Sequence, residues 1–197
     1  MRILVTGGAG YIGSHVVLTA LGRGHDVTIF DNLSTSNKIN INQKAKFVKG
    51  TINSNDDLSN LLKNNKFDCV IHLAGSKAAG ESIENPKKYA SNNIIGSLNV
   101  LNKCIEFNIR TFIFSSSAAV YGKPKYIPVD EVHSLNPINY YGFSKLCFEQ
   151  NLKWFSNSYG IKYASLRYFN AGGYDLKKRV AGVEENSQNL IPLVIHL

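Results

Sequence analysis

The feature that most constrains this chain is a glycine-rich stretch near its start, Thr6-Gly7-Gly8-Ala9-Gly10-Tyr11-Ile12-Gly13. It follows a short apolar run, Arg2-Ile3-Leu4-Val5, which reads as a buried strand. It precedes residues 11–21, which predict a helix stopped near Gly22 and Gly24. The useful spacing is Gly7, Gly10, Gly13. A phosphate reaches a backbone only where no Cβ intervenes, and a tight turn calls for positive φ. The helix that follows offers N–H groups and the positive end of its dipole to a pyrophosphate. Strand, glycine turn and helix in that order predict a dinucleotide site. Asp31 ends the next apolar run, 18 positions after Gly13. A carboxylate there accepts hydrogen bonds from the adenosine ribose and repels a 2′-phosphate, which predicts NAD over NADP.

The rest of the chain alternates in the same way. Strands are predicted at Val27-Thr28-Ile29-Phe30, Lys46-Phe47-Val48, Val70-Ile71-His72-Leu73, Thr111-Phe112-Ile113-Phe114 and Tyr163-Ala164-Ser165-Leu166. Helices are predicted over 55–64, over 86–108 with only Gly96 as a breaker, and over 137–158. Near-continuous apolar strands between helices imply a parallel sheet covered on both faces. Right-handed crossovers then give an α/β, doubly wound, Rossmann-like fold. With 197 residues at 44% hydrophobic, the chain can bury a sizeable core, and 18% charged residues argue against disorder.

The net charge of +8 raises a nucleic-acid hypothesis. The lysines are dispersed, however, and the densest run, Lys177-Lys178-Arg179, is too short for a basic arm. A solvated surface that draws in an anionic small ligand is the better reading, with no nucleic-acid partner. Cys69, Cys104 and Cys147 are far apart and odd in number, so neither a disulfide scaffold nor a metal site is expected. No apolar run is long enough to span a membrane or to act as a signal peptide, and a reduced, cytoplasmic setting is the expectation.

Tyr141 and Lys145 share a helix face at i, i+4. A free tyrosine titrates near pH ~10, and a nearby ammonium favours its phenolate. The pair is therefore a candidate acid/base for removing a hydroxyl proton during hydride transfer. Ser117 lies at the carboxyl end of the fifth predicted strand, where open parallel sheets bind ligands, and can hydrogen-bond the reacting oxygen. His72 reads as a satisfied core histidine. Phe148, Trp154 and Phe155 read as core packing on a helix, and Arg167 as structural.

These residues resemble the extended short-chain dehydrogenase/reductase family, and within it the NAD-dependent nucleotide-sugar epimerases and dehydratases. The matching segments are Val5 to His15, Asp31-Asn32-Leu33-Ser34, Ile71-His72-Leu73-Ala74-Gly75, Lys77 with Gly80-Glu81-Ser82, and Ser115 to Gly122. Tyr141 to Lys145, Leu166-Arg167-Tyr168-Phe169-Asn170 and Asn189-Leu190-Ile191-Pro192 complete the series. The resemblance implies a dinucleotide domain over 1–170 and the start of an incomplete substrate domain over 171–197. It implies tightly bound NAD and interconversion of UDP-glucose and UDP-galactose by C4 oxidation, rotation of a 4-keto sugar and re-reduction. Tyr141, Lys145 and Ser117 would be catalytic. Cofactor contacts would come from Gly7, Gly10, Tyr11, Ile12, Gly13, Asp31, Asn32, Leu33, Ser34, Thr35, Ser36, Thr51, Ile52, Leu73, Ala74, Gly75, Ser76, Lys77, Asn92, Lys145 and Phe169. Ser117, Tyr141, Asn170 and Asn189 would contact a UDP-hexose. A homodimer through the helices over 86–108 and 137–158 is also implied.

Two details refine the resemblance. Dehydratases of this kind carry an Asp-Glu pair just after the strand-five serine or threonine, and this chain has Ala118-Ala119 there. The family usually has Gly-Asp-Ile after the third strand, and here it is Gly50-Thr51-Ile52. Family members also continue beyond the point matched by Leu197. This leaves as alternatives a catalytically silent NAD-binding domain and a related UDP-sugar epimerase or decarboxylase.

Overall fold

In the computed structural model, residues 1–182 are described. In chain order the elements are β1 (Arg2–Thr6), α1 (Tyr11–Gly22), β2 (Asp26–Asp31), β3 (Lys46–Lys49), α2 (Asn55–Lys63), β4 (Cys69–His72), α3 (Ala79–Glu84) and α4 (Pro86–Tyr89). A π-helical segment, Ala90–Ile95, leads into α5 (Gly96–Glu106), then β5 (Thr111–Ser117), α6 (Tyr140–Tyr159) and β6 (Lys162–Tyr168). The strands form one sheet in the order β3-β2-β1-β4-β5-β6, and every neighbouring pair is parallel. The order reverses between β1 and β4, and the crevice outside their carboxyl ends is where such a sheet binds ligands.

The central strands β1, β2 and β4 are apolar on both sides because helices cover both faces, whereas the edge strands β3 and β6 are largely exposed or half-buried. On one face Leu4, Phe30, Val70, Phe112 and Phe114 pack against Leu58, Leu61 and Leu62 of α2, Val100 and Leu101 of α5, and Phe148 and Leu152 of α6. On the other face Ile3, Val5, Val27 and Ile29 pack against Val17 and Ala20 of α1. Truncating a fully buried phenylalanine such as Phe148 removes about 3–5 kcal/mol. His72 is fully buried, bonded to the Thr6 hydroxyl at 2.7 Å and the Ser97 hydroxyl at 2.8 Å, and burial holds its pKa down to about 3. It is a core histidine, as the sequence suggested.

Several elements depart from expectation. The helix expected over 137–158 starts at Tyr140, because the Asn139 side chain accepts from the Gly142 N–H and caps it there. It ends at Gly160, whose φ of 68° is left-handed. The helix expected over 86–108 is divided by its π segment into α4 and α5. Nothing in the sequence reading pointed to α3, a single short turn with no apolar period. Phe148 is core, but Trp154 is 71% exposed and does not pack inside. Among the described residues no helix is long and apolar enough to cross a membrane.

Candidate active site

The glycine turn joins β1 to α1 and presses against the loop after β4. Gly7 has φ +72°, and a Cβ on it would stand 2.6 Å from the Ala74 backbone nitrogen. A Cβ on Gly13 would stand 2.2 Å from the Gly7 carbonyl oxygen. Both glycines are therefore demanded by close backbone approach, one also by its conformation. Gly10 is the N-cap of α1, so Tyr11, Ile12 and Gly13 form its first turn. N–H groups in that turn have no acceptor within the helix and are available to an anion.

Asp31 ends β2, the strand beside β1. One carboxylate oxygen accepts from the Ala9 N–H at 3.0 Å, and the other from the Leu33 N–H at 2.9 Å and the Ser36 hydroxyl at 2.8 Å. A carboxylate has about four acceptor positions, so one remains for a ribose hydroxyl. The side chain of Asn32 bonds the Ser34 N–H at 3.0 Å, which shapes the loop through Thr35. Thr51 follows β3. Its N–H donates to the Asp57 carboxylate at 2.9 Å, and its hydroxyl accepts from the Asn53 N–H at 3.3 Å. Ile52 is buried beside Gly96.

The loop after β4 runs Leu73-Ala74-Gly75-Ser76-Lys77 and is held from the π segment. The Asn93 side chain accepts from the Ser76 N–H at 2.8 Å and donates to the Ser76 carbonyl at 2.9 Å. It also donates to the Ser144 hydroxyl on α6 at 3.1 Å. Asn92 donates to the Ser76 hydroxyl at 3.0 Å and accepts from Asn53 at 2.7 Å. The sequence reading named Asn92 and missed Asn93. Two adjacent asparagines inside an otherwise helical run were the available signal.

Lys145, Tyr141 and Ser117 come together where β5 meets α6. The Lys145 ammonium is buried, donates to the Ser115 carbonyl at 2.8 Å and lies 5.8 Å from the centre of the Tyr141 ring. Burial lowers its pKa from the ordinary lysine value to about 8. Burial also raises the Tyr141 phenol, while a side-chain hydrogen bond with Ser117 works the other way. The sequence argument has the ammonium drawing the phenol down; in the structure desolvation raises it, and the lowering comes from Ser117. Ser117 caps the short turn Ala118–Val120 by accepting from the Ala119 N–H at 3.2 Å. The Tyr141 N–H donates to the Ser82 hydroxyl on α3 at 2.9 Å, and the Tyr89 ring meets the Tyr141 ring edge-on at 6.3 Å. Phe169, which is exposed, and Asn170 follow β6. Asn189 lies outside the described residues.

The carboxyl ends of all six strands thus carry expected site residues. A turn suited to phosphates stands after β1 in the middle of the row, and a phenol, an ammonium and a hydroxyl stand by β5 toward one edge. Such a crevice can hold a dinucleotide and move a proton on an alcohol beside it. The chain matches the profile of the NAD dependent epimerase/dehydratase family over residues 3–196. The chain belongs to the NAD dependent epimerase/dehydratase family.

Among relatives in this epimerase/dehydratase family, the UDP-glucose 4-epimerase of Lactobacillus helveticus is 40% identical over 195 residues, 99% of this chain and 59% of that protein. The crystal structure of UDP-glucose 4-epimerase from Brucella ovis in complex with NAD superposes with a TM-score of 0.94 at 38% identity. That match covers 98% of this chain and 59% of the other. The UDP-Glc/GlcNAc 4-epimerase of Campylobacter jejuni gives a TM-score of 0.83 at 39% identity over 85% of this chain and 53% of the other. The chain therefore spans a little over half the length of the relatives it matches.

Proposed function

We propose that this chain is the cofactor-binding and catalytic part of an NAD-dependent 4-epimerase that interconverts UDP-glucose and UDP-galactose. The observation that carries the reading is the grouping of Tyr141, Lys145 and Ser117 at the carboxyl edge of the sheet, in line with a glycine turn and Asp31. Residues 1–170 are read as the dinucleotide domain and 171–197 as the start of the substrate domain. The NAD pyrophosphate would lie on the first turn of α1, and its adenosine ribose on Asp31. Lys145 would hold the nicotinamide ribose.

When bound, NAD supplies a hydride acceptor that becomes the donor for the return step. Tyr141 takes the proton from the C4 hydroxyl and later gives it back. Ser117 holds the C4 oxygen while its charge changes. At pH 7 Lys145 lies below its pKa of about 8 and keeps its positive charge, which favours the phenolate of Tyr141 once substrate arrives. Support for epimerisation over dehydration comes from Ala118-Ala119, which offer no acid or base to expel water. The exposed Trp154 on α6 supports a helix-mediated homodimer.

The direct test incubates the full-length protein with UDP-galactose and follows the appearance of UDP-glucose. Turnover is expected. Its absence in a folded, NAD-loaded protein would remove the assignment. A panel including the N-acetylhexosamine and pentose UDP-sugars separates related substrates.

A further inference from the structure

Behind Tyr141 lies a buried ionic network that the proposed chemistry does not use. Glu149 sits on α6, four residues after Lys145 and eight after Tyr141, on the same face. Its carboxylate receives a two-pronged contact from Arg167 of β6, Nε to Oε1 at 3.0 Å and Nη2 to Oε2 at 2.7 Å. The Ser116 hydroxyl donates to the same Oε1. The remaining arm of Arg167 donates to the Tyr121 hydroxyl at 3.0 Å, and the guanidinium stands 5.0 Å over the Tyr121 ring. Glu149 is 8% exposed.

The arrangement brackets Ser117. Ser116 immediately precedes it, and Tyr121 follows the turn Ala118–Val120 that Ser117 caps. One carboxylate on α6 is therefore tied to both sides of the strand end that presents the Ser117 hydroxyl. A buried ion pair is a poor source of stability, because desolvating two charges offsets their attraction. Its rigid, planar geometry is what an apolar pair cannot supply.

We infer that Glu149 and Arg167 are positioning residues that clamp α6 to β5 and β6, so that Ser117 stays within hydrogen-bond reach of the Tyr141 phenol. The inference rests on the reading of Tyr141 as the proton-exchanging group. The titratable and charged groups facing Tyr141 are Lys145 on α6, and Tyr89 of α4 backed by Glu81 of α3 and Lys88 of α4. None belongs to the clamp, so in the charge-neutral double variant a loosened clamp reaches Tyr141 through Ser117 and through the Lys145 contact with the Ser115 carbonyl.

The test uses the full-length protein with 13Cζ-labelled tyrosine, the Tyr141 resonance being assigned by its loss in Tyr141→Phe. The variants are Glu149→Gln, Arg167→Lys, and the double change Glu149→Met with Arg167→Met. The double change removes both charges together and is the one best tolerated by a fold. The expected result is a Tyr141 titration midpoint raised by about half a pH unit or more in each folded variant. The kcat should fall about tenfold or more, with KM for UDP-galactose changed less than about threefold. Arg167→Lys keeps the charge without the fork, so it should not restore the parent midpoint. A purely structural pair would lower stability and leave the midpoint in place. A folded double variant with the parent's midpoint and kcat overturns the inference. If the parent itself shows no turnover, the proposed function fails, while the titration still decides the clamp.

Discussion

Replacing Lys145 with methionine should stabilise the cofactor-free protein while removing its chemistry. The ammonium is buried among Phe114, Tyr141 and the Ser115 carbonyl, and no carboxylate is bonded to it among the described residues. Its pKa falls from 10.5 to about 8 on folding. That shift corresponds to roughly 3 kcal/mol of unfavourable desolvation. Leaving the Ser115 carbonyl without its lysine takes back about 1 kcal/mol. The net gain for Lys145→Met at pH 7 is on the order of 2 kcal/mol, or about 4–8 °C in Tm. The pH dependence gives the sharper check. Below pH 8 lysine is charged in both states, so the folded protein bears the whole penalty. Between pH 8 and 10.5 the unfolded chain holds the extra proton, so the parent gains stability as pH rises and the gap to the variant closes. Urea unfolding of both proteins at pH 7 and pH 10 measures this. A variant less stable than the parent at pH 7, or a gap that does not change with pH, refutes the reasoning.

Gly13→Ala should abolish cofactor retention and destabilise the fold by about 2 kcal/mol or more, since its Cβ meets the Gly7 carbonyl oxygen; unfolding curves and bound-NAD absorbance report both. Asn93→Ala takes from the Ser76 N–H and carbonyl their side-chain partner, and from the Ser144 hydroxyl one of its two, and should cost about 2–4 kcal/mol by denaturant unfolding. Asp31→Asn removes the charge facing the ribose and, because an amide nitrogen cannot accept, at least one of the three hydrogen bonds that hold the loop. The preference for NAD over NADP should then fall about tenfold or more by calorimetric titration.

The sequence made the sheet legible because its strands are short apolar runs with a helix-length segment between them. The glycine turn and Asp31 were legible because close approach and positive φ exclude other residue types, as Gly7 shows. Other features depend on contacts far apart in the chain. The division of the helix over 86–108 reflects asparagines that bond outward to Ser76 and Ser144, and no local period records that. Trp154 is the exception, since its helical neighbours Gln150, Asn151, Asn157 and Ser158 are polar and mark its face as the exposed one. Arg167 reads as structural from the sequence, but its partner Glu149 lies 18 residues away and only the fold brings them together. The phenol of Tyr141 was expected to be drawn down by charge. Its burial, a property of the packed protein, raises it instead.

The π segment has a geometric consequence for the helix that contains it. An α-helix advances about 100° per residue, and a π turn holds one residue more than an α turn. The run from Pro86 to Glu106 therefore carries two phases: α4 aims Tyr89 at Tyr141, while α5 aims Val100, Leu101 and Cys104 into the core. Deleting one residue from 90–95 would merge the phases into a regular helix and swing Tyr89 about 100° off its target. For this chain the straight, better-formed helix is the damaged one.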